Sequence, residues 1–177
     1  MADEVVIDTN VLLVASQRHD QVSPQCVFAC VERLTRVQEK GCVVIDNAYR
    51  ILNEYQKKLD ANKGKGVGEA FLKWLLQNQE NPKRVVRVIL SERATDDFDE
   101  FPDPALAAEF DPPDRKFVAV AHAHPRKPLV LQATDSKWLR WRERLQAHGV
   151  RVEFVCPQDI CRFFETKFPD EPVPPLP

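Results

Sequence analysis

Residues 4–13 have the sequence Glu-Val-Val-Ile-Asp-Thr-Asn-Val-Leu-Leu, and the rest of the chain can be placed around them. The apolar run at 5–7 predicts a buried strand that ends at Asp8, and the second apolar run predicts a helix that begins at once. In open α/β sheets, ligands bind at the carboxyl ends of the strands. Asp8 is therefore the first candidate site residue, and any acid that can reach it is the next.

The composition is that of an ordinary globular domain. The chain has 177 residues, of which 44% are hydrophobic and 29% charged, so it can bury one good core. Its net charge of -2 gives no overall attraction to nucleic acid, so such binding would need a local basic patch. No apolar run approaches the roughly 20 residues of a membrane span, and the N-terminus lacks a signal-peptide pattern. These features predict a cytoplasmic protein without membrane contact.

The five cysteines, at positions 26, 30, 42, 156 and 161, show no zinc-binding spacing. His122 and His124 have no cysteine near them in sequence. An odd number of cysteines in mostly apolar runs predicts buried, reduced thiols.

Five apolar runs separated by helical patterns predict the architecture. The strands are expected at about 4–8, 42–46, 85–90, 129–133 and 151–155. Ser23, Asn47 and Asp111 are predicted helix N-caps. Residues 92–111 are acidic and predict an irregular excursion with a short helix near 104–109. The pattern predicts a three-layer α/β/α sandwich with a five-stranded parallel sheet over 1–167, followed by an extended or disordered Pro-rich tail at 168–177.

Four acids stand where this architecture could bring them together. Asp8 and Asp135 follow the first and fourth strands, Asp114 opens the helix before the fourth strand, and Glu54 lies on the helix after the second. Asp46 is a lower-ranked substitute for Glu54. Clustered carboxylates resist ionising together unless a cation offsets their charge. Oxygen ligands without Cys or His favour Mg²⁺ or Mn²⁺, and two such ions can activate water for phosphodiester cleavage.

Each of these residues also has a structural explanation. Asp8 and Asp135 could be helix caps, Asp114 a first-turn acid stabilised by the helix dipole, and Glu54 a solvated acid beside two lysines. Basic residues that could bind RNA phosphates lie in the Gly-rich loop at residues 62–68 and on the helix that follows Asp135. They are Lys63, Lys65, Lys137 and Arg140. An ordinary amphipathic helix would explain the last two equally well.

Four short motifs, in order, resemble those of PIN-domain (VapC-like) ribonucleases: residues 5–13, 51–55, 111–121 and 135–139. The resemblance covers about residues 4–156. It implies a metal-dependent ribonuclease that hydrolyses RNA phosphodiesters with metal-activated water, often the toxin of a toxin–antitoxin pair. It also implies that Asp8, Glu54, Asp114 and Asp135 are Mg²⁺ or Mn²⁺ ligands. Asn10 would support them, and Asp111 would be either a fifth acid or only a cap, the second being the better prediction.

The sequence departs from that family at one position of the site. PIN domains usually carry Ser or Thr two residues before the fourth acid, where this chain has Ala133, although Thr134 lies next to it. Either Thr134 takes over that role or the hydroxyl is missing. A binding or scaffold protein without catalysis, and a structure-specific DNA nuclease, therefore remain as alternatives. An antitoxin partner and a homodimer are expectations from the family alone.

Overall fold

The computed structural model describes residues 2–176. Its main sheet is built from β1 (Asp3–Ile7), β2 (Gly41–Asp46), β3 (Val85–Val88), β6 (Leu129–Gln132) and β7 (Val152–Phe154), and a separate hairpin from β4 (Glu92–Ala94) and β5 (Asp97–Phe98). The helices are α1 (Thr9–Ala15), α2 (Pro24–Lys40), α3 (Arg50–Lys58), α4 (Val67–Asn78), α5 (Pro104–Glu109), α6 (Arg115–Ala123), α7 (Lys137–Ala147) and α8 (Pro157–Lys167).

The five-stranded sheet is wholly parallel, with strand order β3-β2-β1-β6-β7. The predicted fold class is confirmed, and each predicted strand lies within two residues of the observed one. β1 and β6 are hydrogen-bonded neighbours, with Ile7 opposite Leu131. From β1 the chain continues to β2 and β3 on one side, and it then crosses to β6 and β7 on the other side of β1. The boundary between β1 and β6 is therefore the switch point of the sheet, where ligand clefts form.

Helices cover both faces of the sheet. α1, α2 and α4 pack together, whereas α6 crosses β1, β2 and β6. Right-handed connections that run in opposite directions across a parallel sheet lie on opposite faces, which yields the three layers. The central strands β1 and β2 are buried on both faces along most of their length, so they contain continuous β-branched runs instead of alternating patterns.

Local capping is partly as predicted. Ser23 accepts a hydrogen bond from the Cys26 amide, with Pro24 in the first turn of α2. Asn47 does not cap α3. Tyr49 precedes that helix in a left-handed conformation, and the Asp46 carboxylate instead accepts from the amides of Arg50 and Ile51. The side chain of Asp46, at the end of β2, thus takes the capping role that was predicted for Asn47.

The acidic excursion is more regular than expected. It contains the β4–β5 hairpin, which the sequence did not predict because its strands are so short, and α5, which lies where a short helix was expected. The Pro-rich tail has no regular structure through residue 176, as predicted. The tail contacts the domain, because Phe168 packs on Phe164 and Glu171 forms an ion pair with Arg140.

The prediction of reduced thiols is wrong for two cysteines. A disulfide joins Cys26, at the start of α2, to Cys156, which precedes α8, while Cys30, Cys42 and Cys161 are free. The two partners are 130 residues apart in sequence, so only the fold reveals their proximity. Within residues 2–176, no helix is both long and apolar enough to cross a membrane.

Candidate metal and nucleic-acid site

Asp8 lies at the centre of the carboxyl edge, held by the residues that follow it. It caps α1, because its Oδ1 accepts from the Asn10 amide at 3.0 Å. Its Oδ2 accepts from the Gln132 side chain at 3.0 Å. Burial, together with the charges of Glu54 and Asp135, raises the pKa of Asp8 to about 7, despite these hydrogen bonds. Being a helix cap and being a site residue are therefore compatible for Asp8.

Gln132 organises the loop that carries the fourth acid, and the sequence did not single it out. Its side chain is fully buried at the end of β6, and its Oε1 accepts from the amides of Ala133, Thr134 and Asp135 at 3.0–3.3 Å. Asn10 donates to the same oxygen and accepts from the Ala133 amide. A polar residue that ends an apolar strand was the only available signal.

Three carboxylates come together beside Asp8. Oxygens of Asp111, Asp114 and Asp135 all lie within 4.8 Å of one another. Burial and the neighbouring charges of Asp8 and Asp135 raise the pKa of Asp114 to about 8. Burial also raises the pKa of Asp135, against the hydrogen bond that it accepts from the Lys137 amide. The three aspartates therefore lie close together, and the hydrogen-bond donors around Asp114 and Asp135 do not offset the effect of burial and of the neighbouring charges on their pKa values.

Asp111 belongs to this group and is not a cap. It precedes a 3-10 turn at Pro112–Asp114, and its side chain makes no capping hydrogen bond. It pairs instead with the ammonium group of Lys137. The prediction that Asp111 serves only as a cap is wrong, because the two prolines begin a tight turn whose geometry leaves its carboxylate free to turn toward Asp114.

Glu54 borders the cluster, but its two oxygens already have partners. Oε1 accepts from the Thr9 hydroxyl at 2.5 Å, and Oε2 lies 2.5 Å from the ammonium group of Lys116. The Lys116 side chain is only 6% exposed. The sequence did not single out Lys116, although a lysine in the Ala-rich run of α6 was a visible irregularity.

Other predicted residues lie apart from the acids. Asp46 is buried under the start of α3 and also pairs with Arg50, so it does not replace Glu54. Lys63 and Lys65 are exposed in the Gly-rich loop and line neither cavity beside the acids. Arg140 lies over Phe168 in the tail. Of the four predicted substrate-binding residues, only Lys137 reaches the cluster.

Ala133, two residues before Asp135, is buried and has no hydroxyl to offer to the acid cluster. Thr134 is half-buried, and its amide is held by Gln132. Gln132 and Asn10 together fix the loop that a hydroxyl would otherwise help to hold.

An open groove leads away from the acids. A cavity of about 530 Å³ is lined by Glu54, Asp114 and Lys116 at one end and by Lys57 and Lys58 on α3. A second cavity of about 490 Å³ shares Lys57 and Lys58 and continues toward the loop after α3. Within residues 2–176, neither lysine forms an ion pair. The groove therefore presents two lysines without an acidic partner beside the clustered acids, although Glu92, Asp96 and Asp60 also line the two cavities.

The donor set suits a hard divalent cation. Carboxylate oxygens of Asp111, Asp114 and Asp135 are close enough to share one ion, and no Cys or His joins them. Mg²⁺ and Mn²⁺ prefer such oxygen ligands. A bound cation would favour the ionised forms of Asp114 and Asp135, whose pKa values are otherwise raised.

Comparison with known proteins does not add to this description. No family model, no curated protein and no solved structure matches the chain.

Proposed function

We propose that this chain is a PIN-like, Mg²⁺- or Mn²⁺-dependent ribonuclease. The observation that carries the proposal is the close approach of Asp111, Asp114 and Asp135 beside Asp8, with the pKa of Asp114 raised to about 8. Acids that repel one another within a partly buried cluster lower the stability of the metal-free fold, and such an arrangement is typical of functional sites. The resemblance of the four motifs to PIN domains supports the same function.

The cation would be held by Asp111, Asp114 and Asp135, with Asp8 adjacent. When bound, it would supply a reactive water at neutral pH and offset charge on the phosphate. The chain's own residues hold this arrangement in place: Gln132 fixes the loop that carries Asp135 and orients Asp8.

The groove supports a phosphodiester substrate. Lys57 and Lys58 can contact backbone phosphates without first giving up an acidic partner. Such contacts are independent of base sequence and weaken with salt. RNA is favoured over DNA by the family resemblance. The same resemblance is the basis for an antitoxin partner and for a homodimer.

Cleavage of 5′-labelled single-stranded RNA with Mn²⁺ tests the proposal. We expect the wild-type chain to cut, and both Asp8→Asn and wild type in EDTA to fail. A matched single-stranded DNA and an RNA hairpin run beside it report the substrate class. Cleavage that persists in EDTA, or in Asp8→Asn, would contradict a metal site at these acids. Cleavage of the DNA alone would favour the structure-specific DNA nuclease.

A further inference from the structure

Lys116 is a buried cation within the acid centre, the group formed by Asp8, Glu54, Asp111, Asp114 and Asp135. Its residue is 4% exposed, and it lies two positions after Asp114, near the start of α6. Lysine is almost never this buried unless it is paired. The ammonium group lies 2.5 Å from Glu54 Oε2, and it also donates to the Pro113 carbonyl. Both partners are part of the site, so Lys116 is fixed there.

Glu54 is correspondingly unlike the aspartates. The Thr9 hydroxyl engages its other oxygen, so protein donors engage both oxygens of the carboxylate. The close set of possible ligands contains Asp111, Asp114 and Asp135 but not Glu54. Both oxygens of Glu54 thus have protein partners, whereas among the aspartates Asp111 pairs with Lys137 and, within residues 2–176, Asp114 and Asp135 form no ion pair.

A fixed positive charge opposes the binding of a cation next to it. A second divalent ion at Glu54 would have to displace the Lys116 ammonium group, whose side chain is 6% exposed and is held by both Glu54 and the Pro113 carbonyl. The aspartate side carries no such obstacle apart from Lys137, which is a quarter exposed and can move away from Asp111.

We infer that Lys116 takes the place of a second metal ion, so that the site binds one divalent cation, at the aspartates, with Glu54 positioning Lys116. This inference rests on the proposed metal site and differs from the two-ion arrangement that carboxylate-rich nuclease sites can hold. Lys116 would then offset charge on the Glu54 side of the phosphate from a position that the protein itself maintains.

Stoichiometry of Mn²⁺ binding, measured by calorimetry on the full chain at pH 7.5, is the test. We expect one ion per wild-type chain and two per Lys116→Met chain, because loss of the ammonium group frees Glu54. Lys116→Met/Glu54→Gln should return to one. Lys73→Met, at an exposed lysine on α4, should leave the wild-type value unchanged.

The outcomes separate the two proposals. Two ions on the wild-type chain would overturn the role of Lys116 and leave the metal nuclease standing. No binding at all would overturn both. One ion on both wild type and a folded Lys116→Met chain would also overturn the inference. One ion on the wild-type chain does not by itself assign this role to Lys116, so Lys116→Gln serves as a second variant if Lys116→Met does not fold.

Discussion

Two regions of the molecule bury aspartates at the same end of the sheet, and they treat them in opposite ways. At the α2–α8 junction, Asp159 accepts two hydrogen bonds from Ser23 and pairs with Arg162. Although burial raises its pKa, these donors outweigh burial and lower the pKa below its ordinary value. In the acid centre, the nearest groups to Asp114 are other acids, and its pKa is raised to about 8.

This contrast separates structural from functional burial. Asp159 joins two helices, and its ionised form is stabilised by groups placed to bind it. Asp114 contributes nothing comparable to the metal-free fold, since its ionised form is opposed by its surroundings. A buried acid whose neighbours disfavour its charge needs another explanation than stability, and a cation supplies one.

The sharpest way to break this comparison is to neutralise one acid in each region. Asp114→Asn should lower kcat/KM for RNA by about 10²-fold or more, since a metal ion supplies several kcal/mol of transition-state stabilisation. Asp159→Asn, at a buried acid outside the acid centre, should leave kcat/KM of the folded enzyme unchanged. Equal losses in the two variants, measured with Mn²⁺ at saturation, would mean that the acid centre is not special.

The disulfide sharpens the structural half of the comparison, because it reinforces the junction beside Asp159. Cys26→Ser opens a link between residues 130 apart and should lower the free energy of unfolding by about 2–5 kcal/mol. Cys161→Ser, at a free cysteine on α8, should change it little. Urea unfolding of the two variants without reductant makes the measurement. Matching midpoints for both variants and wild type would show that the link does not stabilise the fold.

The pH dependence of stability should have opposite signs in the two regions. The raised pKa values of Asp8 and Asp114 mean that the folded chain holds these protons more tightly than the unfolded chain. Their contribution is fully present below the ordinary pKa of 3.8 and is lost as the pH rises through about 7 and 8. For Asp159 the pKa is lowered, so its contribution is lost as the pH falls through that lowered value.

In EDTA, unfolding should therefore become easier between pH 5 and pH 8, by at least about 1.4 kcal/mol, the equivalent of one pKa unit. Asp114→Asn should flatten this slope, and Mn²⁺ should reverse it, since a metal binds the ionised acids. Thermal unfolding at several pH values gives the slope. A metal-free chain that becomes more stable from pH 5 to pH 8 would contradict the description of the acid centre.

The sequence predicted the parts of the site that follow from local pattern. Asp8 and Asp135 come directly after apolar strands, so their place at the carboxyl edge needed only the strand assignments. Asp114 was found because it stands at the start of a helix. The strand order adds that β1 and β6 are neighbours, which brings Asp8 and the loop of Asp135 together.

The features that the sequence did not predict depend on contacts between elements that lie far apart in the chain. Lys116 and Gln132 were visible as polar residues in apolar runs, but their partners come from elements far away in sequence. The Cys26–Cys156 disulfide was missed for the same reason. Lys63 and Lys65 attracted attention because of their Gly-rich loop, whereas Lys57 and Lys58, one turn of α3 beyond Glu54, line the groove.

The disulfide also changes what happens when the chain is cut. Residues 27–155 lie between its two cysteines, and that stretch includes the exposed Gly-rich loop around Lys63 and Lys65. Exposed loops of small and polar residues are preferred sites of proteolytic nicking. A protease that cleaves there leaves two fragments that are still joined covalently through sulfur. The nicked protein would migrate as one species on a non-reducing gel and separate into two bands only after reduction.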